Sequence, residues 1–108
     1  MQDVRLASVD LDGNDGHVVR ALLAGGLAPD IFILEYNPKF PPSVEFEMPY
    51  DADHRWRGDD YFGVSLLKWT KILSPVGYTL IACNENGVNA FFVKTRAYGS
   101  LRRYLNQN

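Results

Sequence analysis

Residues 4–37 read VRLASVDLDGNDGHVVRALLAGGLAPDIFILEYN. An apolar run (Leu6, Ala7, Val9, Leu11) interleaves with Asp10 and Asp12 and breaks at Gly13. Val18, Val19, Leu22 and Leu23 then recur at helical spacing as far as Gly25-Gly26. A second apolar run, Ile31 to Leu34, ends in Glu35, Tyr36 and Asn37. Strand, turn, helix and strand at this length make one βαβ unit, which joins parallel strands by a right-handed crossover. The first strand is expected over Leu6 to Asp12, buried on both faces because its apolar residues run nearly together. Asn14 or Asp15 is placed to cap the helix, and Gly25 or Gly26 to end it in the left-handed conformation.

Beyond Asn37 the pattern changes. Residues 37–61, NPKFPPSVEFEMPYDADHRWRGDDY, hold four prolines and show no clean period. Loops this long inside a compact domain are functional or disordered. This one carries Phe40, Phe46, Tyr50, Trp56 and Tyr61, and disordered segments are poor in such residues. We read an ordered excursion over the strand ends, with a short extended piece at Val44 to Met48. Ser65 to Leu73 reads as a helix, stopped by Ser74-Pro75-Val76-Gly77. Tyr78 to Cys83 and Asn89 to Thr95 read as an antiparallel hairpin across Asn84-Glu85-Asn86-Gly87. A short terminal helix is expected over 99–106, with Leu101, Tyr104 and Leu105 inward.

The expectation is one α/β domain over residues 1–108. Its four-stranded sheet has order 1-2-4-3, three strands parallel and the last antiparallel, with helices mainly on one face. Composition agrees: of 108 residues, 46% are hydrophobic and 22% charged, an ordinary globular balance. A net charge of −2 gives no electrostatic argument for nucleic acid or an anionic membrane. No apolar run approaches the ~20 residues that span a bilayer. The N-terminus lacks a signal-peptide pattern, so cytoplasmic is the default compartment. The single cysteine, Cys83, allows no internal disulfide and reads as a small buried strand residue.

In open α/β sheets, ligands sit beyond the carboxyl ends of the strands. The candidates there are Asp10, Asp12, His17 and Glu35 for acid–base chemistry, and Asn14, Asp15, Tyr36, Asn37, His54, Trp56 and Tyr61 for substrate binding. Asp12, Glu35 and Asn37 could converge on a hard cation such as Mg²⁺ or Ca²⁺. Against this, Asp12, Asn14 and Asp15 serve equally well as cap and turn residues with Glu35 solvated. The simpler reading makes His17 a partly exposed helix residue and Trp56 an anchor for its loop, with Arg55 and Arg57 paired to nearby acids. The basic residues Lys94, Arg96, Arg102 and Arg103 read as a solvated face.

The order of elements resembles the C-terminal half of a class I S-adenosylmethionine-dependent methyltransferase, where a final antiparallel strand slots between two parallel neighbours. VDLDGND (Val9 to Asp15) is similar to the (I/L)D(V/I)(D/E)G motif of FkbM-like methyltransferases. ILEYNPKFPP (Ile33 to Pro42), DDYFGVSL (Asp59 to Leu66) and GYTLIACNENGVNAFFV (Gly77 to Val93) look like one bacterial branch near that family. The resemblance covers residues 6 to 95. It implies half of a Rossmann-like sheet. The half that binds the cofactor in that family opens on a glycine-rich turn, and no G-x-G-x-x-G-like run occurs here. The implied protein keeps a polar substrate-side cleft, binds no cofactor alone, and uses S-adenosylmethionine only if a cofactor-binding partner chain completes it. An open first-strand edge and an uncovered sheet face imply a homodimer through one of them. The other outcome is a non-catalytic ligand-binding or protein-interaction module working through the aromatic loop.

Overall fold

The structure, a computed structural model, describes residues 5–11, 13–41, 43–53, 63–84 and 88–99. Strand β1 (Leu6–Val9) leads to helix α1 (Asp15–Ala24) and strand β2 (Ile31–Glu35). Helix α2 (Leu66–Leu73) follows the excursion and runs into a 3₁₀ turn at Ser74–Val76. Strands β3 (Tyr78–Cys83) and β4 (Asn89–Lys94) close the sheet. Its order is β1-β2-β4-β3, an open mixed sheet with one parallel pair, β1 with β2. Strand β4 is antiparallel to β2 and to β3.

The register explains the core. Ala7 lies opposite Phe32, Phe32 opposite Phe92, and Phe92 opposite Leu80. One residue pair on, Val9, Leu34 and Ala90 continue the same face. Val19 of α1 and Trp69 and Leu73 of α2, all fully buried, pack onto it, with Leu23, Leu66 and Ile72 at the margin. The other face carries Leu6, Ile31, Ile33, Phe91 and Val93.

Local chemistry sets the helix ends. Gly26 adopts φ 95° after α1, its N–H bonding the Leu23 carbonyl while the Leu27 N–H bonds that of Leu22. This is the paired closure that favours glycine at its left-handed position. Ser65 caps α2 by accepting from the Lys68 N–H at 3.2 Å.

Four expectations change. β1 ends at Val9 and lies at the sheet edge, with Leu6 54% exposed, so it is not buried on both faces. Asn14 occupies the N-cap position of α1 without a side-chain cap bond, because its amide is engaged elsewhere. Cys83 is exposed, since β3 is the other edge strand. Only an isolated bridge, Glu47 to Val64, stands where an extended piece over Val44 to Met48 was expected. Residues 95–99 are helical, and the rest of the expected terminal helix lies outside the described residues. Among the described residues, no helix is long and apolar enough to cross a membrane.

Candidate functional site

Asp10, Glu35, Tyr36 and Asn37 gather at the carboxyl ends of β1 and β2, because parallel pairing aligns Val9 with Leu34. The N-terminus of α1 adds Asn14, Asp15 and His17. The described parts of the excursion, 38–41 and 43–53, make contact with α1 and with α2.

Most of these polar groups have intramolecular work. Asp15 is 1% exposed. Its carboxylate accepts from the Leu11 and Gly13 N–H groups, each at 3.0 Å, and so holds the β1–α1 turn. Burial pushes its pKa up, the backbone hydrogen bonds oppose that, and nearby Asp10 adds to the rise. Asn14 Nδ2 donates to the Asp51 carbonyl at 2.7 Å, and its Oδ1 accepts from the Asp51 N–H at 3.0 Å. This two-way clamp ties the excursion to α1. His17 Nε2 donates to the Met48 carbonyl at 2.8 Å, and its ring meets Tyr50 edge-on at 5.8 Å. Asn37 is 1% exposed, with Oδ1 accepting from the Lys39 N–H at 2.9 Å. That closes an Asx turn where the chain leaves β2.

Two glutamates extend the fastening. Arg20 forms a fork on Glu47, both N···O distances 2.6 Å, and His17 Nε2 lies 3.5 Å from the same carboxylate. The fork raises the Arg20 pKa. Glu45 bridges Lys68 and Lys71 of α2 at 3.0 and 2.8 Å, and the two ammonium groups hold its pKa down. Ser65 Oγ accepts from the Phe46 N–H at 2.9 Å, and Phe46 stacks on Phe40 at 4.4 Å. Gly16, buried in the first turn of α1, gives the excursion room: a Cβ there would run into the Glu47 carboxylate and crowd Val64. Glu45, Glu47, Gly16 and Arg20 were not among the candidates. Their only trace in the sequence is a glycine early in a helical stretch and alternating acids at Glu45 and Glu47.

The remaining polar surface is smaller than the sequence implies. Asp10 is exposed and Glu35 half-buried. The Glu35 carbonyl accepts from Trp69 Nε1 at 2.8 Å, fixing the core tryptophan beneath the strand ends. Burial raises the Tyr36 pKa, helped by a hydrogen bond with Cys83. Asp12, His54, Trp56 and Tyr61 lie outside the described residues. Among the described residues, no three His, Cys, Asp or Glu side chains are grouped to hold a metal ion. Of the proposed cation ligands, Asn37 already directs its side-chain oxygen at a backbone N–H.

Comparison with known proteins finds no matching family model, curated protein or solved structure.

Proposed function

We propose that this chain is the substrate-side half of a methyltransferase-like fold, inactive in methyl transfer alone. It would become part of an S-adenosylmethionine-dependent enzyme when a cofactor-binding chain completes its sheet. One observation carries the reading: β4 lies antiparallel between β2 and β3 in the order β1-β2-β4-β3. An open mixed sheet in this order, with β1 and β2 as its parallel pair, supports that reading. β1, at the edge, offers the outward N–H and C=O groups of Leu6 and Ser8 to a further strand. In this reading Asp10, Glu35 and Tyr36 form the polar rim facing substrate. A cation such as Mg²⁺ or Ca²⁺ would need Asp12 and Glu35 as its first ligands.

A second reading has its own support. The described side-chain hydrogen bonds of Asn14, His17 and Asn37 serve the excursion, and those of Asp15 hold the β1–α1 turn. That favours a non-catalytic module whose aromatic excursion is the binding surface.

Two measurements separate them. The first is calorimetric titration of the purified chain, of known solution mass, with S-adenosylmethionine. The second is transfer of labelled methyl groups in an extract of the native cells, immunodepleted of this chain and then resupplied with it. The half-fold reading expects no binding by the chain alone, and a methylated product that disappears on depletion and returns on resupply. Micromolar binding by the chain alone overturns the half fold. A product pattern indifferent to depletion overturns the split enzyme and favours the module.

A further inference from the structure

The opposite end of the sheet holds a second opening that the strand-end reading leaves unused. There α1 ends, the 3₁₀ turn ends, β3 begins and β4 finishes. The cleft between them has a volume of about 720 Å³, within the range of small-molecule sites. Leu23, Leu27, Ala28 and Val76 form its apolar lining, and Lys94 and Arg96 its charged side. Val76 is 51% exposed, a branched aliphatic side chain left facing water. The cleft shares Leu23 and Val76 with a groove of about 500 Å³ between α1 and α2, where Ala24 and Ile72 continue the apolar surface. The two form one apolar track with a basic group at each end.

Charge pairing tells the ends apart. In the inter-helix groove, Arg20 is held by Glu47, and Lys68 and Lys71 by Glu45. Each of those three cations has a carboxylate in contact, the two lysines sharing one. At the cleft, one carboxylate, Asp30, serves both Arg5 at 3.4 Å and Lys94 at 3.5 Å. Arg96 is exposed and has no carboxylate partner among the described residues. Every cation of the groove therefore touches a carboxylate, whereas Arg96 at the cleft touches none among the described residues. The Tyr78 hydroxyl, which could otherwise compete for a head group, is committed to the Pro29 carbonyl at 2.6 Å.

We propose that this track binds a free fatty carboxylate, its head group at Lys94 and Arg96 and its alkyl chain over Leu23 and Val76 into the groove between α1 and α2. An anionic head meets Arg96, which no described carboxylate holds, beside Lys94, which shares Asp30 with Arg5, and an unbranched tail suits an open, continuous apolar floor. The site is independent of the methyltransferase-like reading, since it lies at the other end of the strands and uses none of the strand-end residues.

The test is calorimetric titration with dodecanoate below its micelle concentration, alongside dodecyltrimethylammonium and phosphatidylglycerol vesicles. Three variants, Arg96→Glu, Val76→Asp and Leu11→Asp, are titrated with dodecanoate. Arg96, Val76 and Leu11 are exposed, and unchanged melting of each variant establishes that it folds. The expected result is saturable binding of dodecanoate and none of the ammonium amphiphile. Arg96→Glu should weaken binding about fivefold or more, the scale of one exposed charge pair. Val76→Asp should weaken it by about tenfold, from a charged carboxylate placed in the apolar path. Leu11→Asp, at the far end of the sheet, should bind as the parent does. The proposal fails if dodecanoate does not saturate, if both amphiphiles bind alike, or if Arg96→Glu and Val76→Asp bind as tightly as the parent. Vesicle binding as strong as that of the free carboxylate would also overturn it, in favour of a lipid surface.

Discussion

Replacing Gly16 with alanine sets two effects of opposite sign against each other. Gly16 lies in the first turn of α1, and alanine in a helix is favoured over glycine by about 0.5–1 kcal/mol. On propensity alone, Gly16→Ala stabilises. The new Cβ, however, would overlap the Glu47 carboxylate and press on Val64 Cγ2 at 3.2 Å. Glu47 cannot simply swing aside, because Arg20 holds both its oxygens at 2.6 Å and its side chain is 11% exposed. Hydrogen bonds to charged groups contribute about 1.5–3 kcal/mol. With Arg20 42% exposed, solvent screening reduces the fork to about 2 kcal/mol. The net expectation is a loss of about 1 kcal/mol, or a melting temperature lower by about 4–8 °C for a domain of this size. The decisive measurement is a double-mutant cycle in urea with Glu47→Ala. With the carboxylate gone, the same Gly16→Ala change should shift by at least about 1 kcal/mol in the stabilising direction. If Gly16→Ala stabilises the parent, or costs the same in both backgrounds, Gly16 is not the excursion's clearance and the Glu47 contact does not govern this turn.

Three further outcomes follow from particular contacts. Asp15→Asn leaves one carbonyl oxygen for two N–H groups, so it should cost about 1–3 kcal/mol. Because the folded Asp15 pKa is raised, the parent binds more protons folded than unfolded and loses stability as pH rises from about 4 through that raised value. The gap between variant and parent in urea unfolding should therefore narrow over that window, and a gap that widens refutes the burial argument. Tyr78→Phe removes the buried hydroxyl that bonds Pro29 and should cost about 1–2 kcal/mol in the same assay; a neutral result would mean the Pro29 carbonyl finds another donor. Asn14→Ala should release the excursion with little change in global stability, read as faster amide exchange at Asp51 relative to the β2 core amides. Unchanged exchange at Asp51 would show that the clamp is redundant.

The sheet was legible because two different periods carry it. In β2 and β4 the alternation at Phe32 and Leu34, and at Ala90 and Phe92, selects one face. In α2, Trp69 and Leu73 recur at helical spacing and meet that face. Such patterns are local, and right-handed crossovers turn them into a strand order. β1 was harder. Leu6, Val9 and Leu11 look alike in sequence, yet Val9 is buried while Leu6 and Leu11 are 54% and 52% exposed. Burial at a sheet edge depends on what lies beyond the edge, which no window of sequence contains. Cys83 was misplaced for the same reason: apolar and in a strand, it lies at the outer end of the other edge.

The candidate site was half legible, and its illegible half has one cause. Asp, Asn and His at strand ends and a helix N-terminus suit a ligand, but they equally suit any backbone that passes within hydrogen-bond reach. Here that backbone is the excursion. Asn14 reaches Asp51 across 37 residues of sequence, His17 reaches Met48 across 31, and Arg20 reaches Glu47 across 27. These separations shorten as the helix advances, so successive turns of α1 meet earlier residues of an excursion running antiparallel to it. Once one clamp is known, the next follows from geometry. Such a ladder of contacts makes the excursion a third layer over α1, fixed by polar bonds where the two inner layers are fixed by apolar burial. Polar bonds of this exposed kind open at lower free energy than a packed core. Opening of the excursion would therefore break the Asn14–Asp51 and Arg20–Glu47 contacts while the sheet core stays packed.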